Sequence, residues 1–283
     1  MTFGVEDTNG WAQPVSVYNF PGTYDASGPE LDTIFPPGTV IAIREPYCKM
    51  GLVADHSHIR IDSPSDLVIL EPGDPLLSNL RWATGNRQLP VLGRSAAEWK
   101  VVADRHFKAG EYFAATVAYS YALRRSSTLH TLRLNRSLAH LRLGNFAAAL
   151  HDAQIALESP KITQDERVKA LYRSAQAEYG QGHYENAKVL HQKCLAISPE
   201  LKDAQSGILN SERRIQEQST GTYDWARIFV ESKSESWNSD ISEFVGPVEI
   251  AAMEHRGGGR GVRATRDVKP GELLVSYFEF ILQ

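Results

Sequence analysis

One spacing governs what this chain can fold into. Gly110, Gly144 and Gly182 each stand two residues before an aromatic: Tyr112, Phe146 and Tyr184. Each aromatic precedes an alanine by three, at Ala115, Ala149 and Ala187, and seven and eight residues further on come Ala122-Leu123, Ala156-Leu157 and Cys194-Leu195. The first two sets are 34 residues apart at every position, as from Gly110 to Gly144. The third is 38 further on, as from Gly144 to Gly182, which places a four-residue insertion around Pro160-Lys161-Ile162-Thr163. Small residues at helical spacing let two helices approach closely, and an aromatic fills the gap between one pair and the next. The stretch is almost free of proline and ends in turn-forming glycines, so it predicts helical hairpins that repeat.

A 34-residue period of this kind resembles the tetratricopeptide repeat. Three repeats are expected, at about 96–129, 130–163 and 168–201, with Trp99 near the start of the first and Pro199 at the end of the third. Residues 200–218 read as a further amphipathic helix with Leu201, Ala204, Ile208 and Ile215 on one face and charge on the other; Gly221 would stop it. Three repeats and a cap are about the minimum for a stable array.

The flanks differ in texture. Residues 1–95 are rich in Gly and Pro, and Val40-Ile41-Ala42-Ile43, His58-Ile59-Arg60-Ile61 and Leu67-Val68-Ile69-Leu70 read as short strands closed by turn residues. A small curled sheet or barrel is expected, an oligonucleotide-binding barrel being one candidate. Residues 219–245 read as a linker and 246–283 as a β fragment. The expected class is therefore α+β and multi-domain.

The formal net charge of −4 gives no reason to expect nucleic acid or an anionic membrane as partner. Two cysteines, Cys48 and Cys194, with no neighbouring ligands at zinc spacing, argue against a disulfide scaffold and for a reducing compartment. Neither a secretory leader nor an apolar run of membrane length is evident, so a nuclear or cytoplasmic protein is expected, not a secreted one.

Residues 246–275, with Gly259-Arg260-Gly261-Val262, Ala264, Asp267-Val268, Pro270-Gly271-Glu272 and Leu273-Leu274, resemble the opening of a SET domain. They read as a strand, a glycine turn, a second strand and a Pro-Gly hairpin into a third. The order of β region, repeats, Gly221-Thr222-Tyr223-Asp224-Trp225 and this opening is similar to the SET- and tetratricopeptide-containing proteins of fungi and plants. The resemblance implies protein-lysine methylation of a histone or other protein, with the backbone of Gly259, Arg260 and Gly261 against S-adenosylmethionine. Glycine there keeps a Cβ out of the way. A SET domain needs on the order of 100 residues, and 38 run from Gly246 to Gln283. The family's Asn-His motif, catalytic tyrosine and later glutamate motif have no counterpart. The chain is accordingly expected to be a truncated form with no catalytic residue of its own, inactive by itself and without measurable cofactor binding.

The inner helices supply the candidate groove. Lys100 and Asp104, four apart, share a face of the first; Asn135 lies on the second; Lys169 and Arg173, four apart, share a face of the third. Tetratricopeptide co-chaperones, which the pattern resembles, carry Lys, Asn, Asn, Lys and Arg at the matching positions and clamp the acidic C-terminal tails of heat-shock chaperones. Four of the five types match, and the departure is Asp104, which would repel a terminal carboxylate or pair with Lys100. The alternative is that these are solvated helix charges. Asp55-His56-Ser57-His58 reads as a turn before a strand rather than a metal site. His106, His140, His151, His183 and His191 read as packing or surface residues. Arg256, Arg260, Arg263, Arg266 and Lys269 form a basic cluster without interleaved aromatics. Two functions compete: a module that binds protein or acidic peptide, and a lysine methyltransferase in which the repeats hold the substrate.

Overall fold

The computed structural model describes residues 1–20, 26–36, 38–50, 57–70, 75–77, 79–83, 94–233, 240–252 and 257–276. Asp55, His56, Pro37, Arg256 and the 277–283 tail lie outside the described residues. The chain forms two compact units, Met1–Asn145 and Phe146–Gln283. Among the described residues no helix is long and apolar enough to cross a membrane.

The first unit opens with β1 (Thr2–Glu6) and β2 (Ala12–Val17), an antiparallel pair turned at Gly10, whose φ of 87° is left-handed. Helix α1 (Gly28–Ile34) follows, then β3 (Val40–Ile43), β4 (Tyr47–Met50), β5 (Ser57–Ile61) and β6 (Leu67–Leu70). β5 runs parallel to β2 and antiparallel to β4, giving the order β1-β2-β5-β4; β3 pairs with β6 in a separate ladder. The expected small curled sheet or barrel takes the form of two small sheets, with no ladder joining them among the described residues. Val15, Val17, Ile61 and Leu67 form their core, and Phe3, Phe20 and Phe35 pack against it. Ser57 and His58, expected in a turn, lie in β5, where His58 pairs with Lys49.

Helices occupy the repeats in the expected phase: α2 (Ala96–Ala109), α3 (Tyr112–Arg125), α4 (His130–Arg142), α5 (Phe146–Leu157), α6 (Gln164–Gly180), α7 (Tyr184–Ile197) and α8 (Lys202–Thr220). Gly110, Gly144 and Gly182 all take left-handed φ, between 71° and 83°, the conformation that ends a helix so that its partner can start two residues later. Ala115, Ala122, Ala149, Ala156, Ala187 and Cys194 are fully buried. In the first unit Trp99 of α2 stacks on Tyr121 of α3 with ring centroids 4.7 Å apart. In the second, the ring of Phe146 fills the space at Gly180, where a Cβ would stand 2.4 Å away.

Helix α6 begins at Gln164, not at 168, because Thr163 and Glu166 form a reciprocal capping box. Its start keeps the 34-residue period from His130 of α4, and α6 runs 17 residues against 13 for α4, so the four extra residues lie within the helix and not at 160–163, which precede it. Gly221, at φ 67°, ends α8 as expected. The buried stripe of α8 is not the apolar face read from sequence, because Ser211, Arg214 and Glu217 join Ala204 inside.

The expected linker holds α9 (Trp225–Glu231) and β7 (Phe244–Val245). β8 (Val248–Ala252) and β9 (Arg260–Ala264) form an antiparallel pair. β10 (Val275–Ser276) pairs with β7 rather than with β9. Gly246 permits that closure: its amide donates to the Leu274 carbonyl at 2.8 Å, and a Cβ would meet the Leu273 oxygen at 2.8 Å.

Candidate functional site

In the first unit the α2 residues meet as the four-residue spacing requires. Lys100 Nζ lies 2.5 Å from Asp104 Oδ2, and Tyr119 of α3 donates its hydroxyl to Asp104 Oδ1 at 2.6 Å. Both Asp104 oxygens therefore have a donor, and Lys100 is drawn back along its own helix. The pairing half of the expectation for Asp104 is the one realised. Tyr119 has no signal in a pattern search, since it reaches Asp104 from the neighbouring helix, 15 residues on. Asn135 is half-buried on α4.

At the base of α2, His106 is 1% exposed. Its Nδ1 lies 2.5 Å from Glu111 Oε2 and its Nε2 lies 2.8 Å from Thr33 Oγ1 of α1. Thr33 Oγ1 also lies 3.0 Å from the Pro29 carbonyl. A histidine read as packing is thus also the polar tie between α1 and the first repeat. Glu30 beside it has its carboxyl pushed up, by burial first and then by Glu111.

In the second unit Lys169, Arg173 and Gln176 share a face of α6, with Leu171 and Ala175 buried on the opposite side and the buried Ala170 and Ala177 at its border. Lys169 and Gln176 are exposed and Arg173 is half-buried. Further along the same helix Tyr179 donates to both carboxylate oxygens of Asp240, at 2.8 and 2.9 Å. Burial, and then Asp240, push the Tyr179 hydroxyl pKa up, so it stays a donor. Burial and Asp240 likewise raise Tyr184, whose ring stands edge-on to Tyr179 at 5.1 Å. Arg214 of α8 completes the cluster, with Nη2 donating to Glu217 Oε1 at 2.8 Å and Nη1 3.8 Å from Asp240 Oδ1. None of Tyr179, Arg214 and Asp240 stands out in the sequence; Asp240 falls in what reads as a linker.

The glycine turn before β9 has Gly257, Gly258 and Gly259 all at φ between 87° and 93°, with open space where each Cβ would be. Gly259 and Arg260 are exposed. The described residues around the turn supply no wall or aromatic face to enclose a ligand. Two members of the basic cluster are paired: Arg263 bonds Glu249 across the β8–β9 pair, and Arg266 binds Glu272 at 2.5 Å, holding that carboxyl below its usual range. Cys194 is a core thiol, raised by burial to about 11, whereas Cys48 is exposed. No group of three or more metal-ligating side chains occurs among the described residues.

No model of a known protein family matches the chain. It is 26% identical over 274 residues to a methyltransferase of Gibberella zeae, covering 96% of this chain and 36% of the relative. It is 33% identical over 126 residues to mouse protein unc-45 homolog B, covering 44% of this chain and 13% of that one. Among solved structures, the first tetratricopeptide domain of Spaghetti (RPAP3) bound to the HSP90 peptide SRMEEVD superposes with a TM-score of 0.39 and 24% identity, over 42% of this chain and 92% of that one. The chain thus spans little more than a third of the length of the fungal relative.

Proposed function

We propose that the repeats bind an acidic peptide segment of a partner protein. The reading is carried by Lys169 and Arg173, two cations one turn apart on one face of α6, opposite the buried Leu171 and Ala175. Cations so placed make charge-assisted hydrogen bonds to carboxylates. Lys100, tied to Asp104, is a weaker contributor in its own unit, and Asn135 supplies an amide. A chaperone tail is one such segment. Fluorescence anisotropy with labelled SRMEEVD, which carries three acidic side chains and a terminal carboxylate, tests this. Lys169→Ala with Arg173→Ala should weaken binding at least tenfold, since each charge-assisted bond contributes about 1.5–3 kcal/mol. Equal affinity of parent and double variant would refute it.

The likeness to the fungal methyltransferase over nearly the whole chain favours a second role, in which the repeats hold a protein whose lysine is methylated. The turn at Gly259, Arg260 and Gly261 would then face S-adenosylmethionine through its backbone. A saturation-transfer experiment with S-adenosylmethionine on parent and Gly259→Val proteins checks contact at this turn; equal signal from both would remove it.

A further inference from the structure

The far end of α6 holds a built carboxylate site, and the chain's own Asp240 fills it. Tyr179 grips both oxygens of that carboxylate. Behind it stands Arg214, 0% exposed, whose Nη1 and Nε find no hydrogen-bond partner among the described residues. The backbone beyond Asp240 is gripped too. The Ser242 amide donates to Glu217 Oε2 at 3.1 Å, and the Ser242 carbonyl accepts from Tyr223 at 2.7 Å. Side-chain carboxylate and main chain are thus both recognised, by α6, α8 and Tyr223 just beyond α8, which is how a short acidic peptide would be held. The Asp240 side chain remains half exposed, whereas Ser242 behind it is buried, so exchange starts at the carboxylate.

The site lies on the same helix as the proposed peptide cations. Tyr179 is three residues beyond Gln176 and shares a face with it; it stands six residues beyond Arg173, about 9 Å along the axis at ~1.5 Å per residue and roughly a third of a turn round it. An extended peptide covers that distance in about three residues at ~3.3 Å each. We infer that the segment from Asp240 to Ser242 is an internal stand-in for ligand. It occupies a third anchor of the acidic-peptide site, and a partner carboxylate about three residues from the one at Arg173 displaces it. This rests on the acidic-peptide reading above. A site that its own chain fills shows an affinity reduced by the fraction of time it is open.

Two readouts on the full chain test this, with labelled SRMEEVD as probe. In anisotropy, Asp240→Asn should bind about three- to tenfold more tightly than the parent, because the neutral amide competes less well for Tyr179 and Arg214. Tyr179→Phe, which frees Asp240 but removes the donor, should not reproduce that gain. In hydrogen exchange, adding the peptide to the parent should speed exchange of the Ser242 amide. Peptide binding that Lys169→Ala weakens, with Asp240→Asn equal to the parent and Ser242 exchange unchanged, overturns this inference and leaves the acidic-peptide reading standing. Absence of binding by both parent and Asp240→Asn overturns both.

Discussion

Replacing Gly207 with alanine tests how α7 and α8 fit together, and the sign of the effect is the test. Gly207 lies inside α8, where glycine costs about 1 kcal/mol relative to alanine. On helix propensity alone the substitution stabilises. The structure opposes that gain. A Cβ on Gly207 would stand 2.3 Å from His191 Nε2 and 2.6 Å from Cδ2 and Cε1. The imidazole is buried and has little room to retreat, standing edge-on to Tyr172 with ring centroids 5.5 Å apart. Overpacking of this kind costs about 1–3 kcal/mol, so the net change should be a destabilisation of up to about 2 kcal/mol. In a His191→Ala background the ring is gone and the helix-propensity gain of about 1 kcal/mol should return. Urea unfolding of the parent, both single variants and the double variant, followed by circular dichroism, measures the cycle. If Gly207→Ala stabilises the parent, or has the same sign in both backgrounds, the close approach of α8 to His191 is wrong.

His191 also sets a pH dependence. Burial holds its pKa below the ordinary value of 6.5, so the unfolded chain takes up the proton first as pH falls. The stability it contributes is complete above about 6.5 and is lost as pH drops towards the folded value. The unfolding midpoint should therefore fall more between pH 7.5 and pH 5.5 for the parent than for His191→Gln, and equal falls would count against a buried neutral ring. Ala149→Leu should lower stability by about 1–3 kcal/mol, since Ala149 is fully buried at a small position of the repeat; an unchanged melting midpoint would mean the repeats are misphased. Asp104→Asn should release Lys100 and tighten SRMEEVD binding, with a gain that shrinks as salt is added; weaker binding would show that Asp104 helps the peptide instead of opposing it.

The repeat array was legible because its constraint is local and periodic. A glycine that must adopt left-handed φ and an alanine that must let a helix approach recur at one spacing, and each holds the same place in the structure at Gly110, Gly144 and Gly182. Strands β3, β5 and β6 were legible for a similar reason, as short apolar runs between turn residues. The hairpin of β1 and β2 and the short α1 carry weaker patterns and went unread. The start of α6 was misplaced because the inserted residues continue a helix, and only the Thr163–Glu166 capping box marks where it begins.

The candidate site divides along the same line. Lys100 and Asp104, or Lys169 and Arg173, are four residues apart on one helix, so their sharing a face follows from the helix pitch and needs no tertiary information. The sequence by itself therefore determined the repeats, their phase and which charged residues of α2 and of α6 share a face. Only the tertiary structure decided that Tyr119 holds Asp104 from the next helix, that β10 pairs with β7, and that Asp240 lies against Tyr179, 61 residues away. The physical reason is that such contacts join segments with no periodic relation. A buried guanidinium or hydroxyl is satisfied by whichever carboxylate the packing brings within hydrogen-bond reach, and no spacing along the chain records that choice.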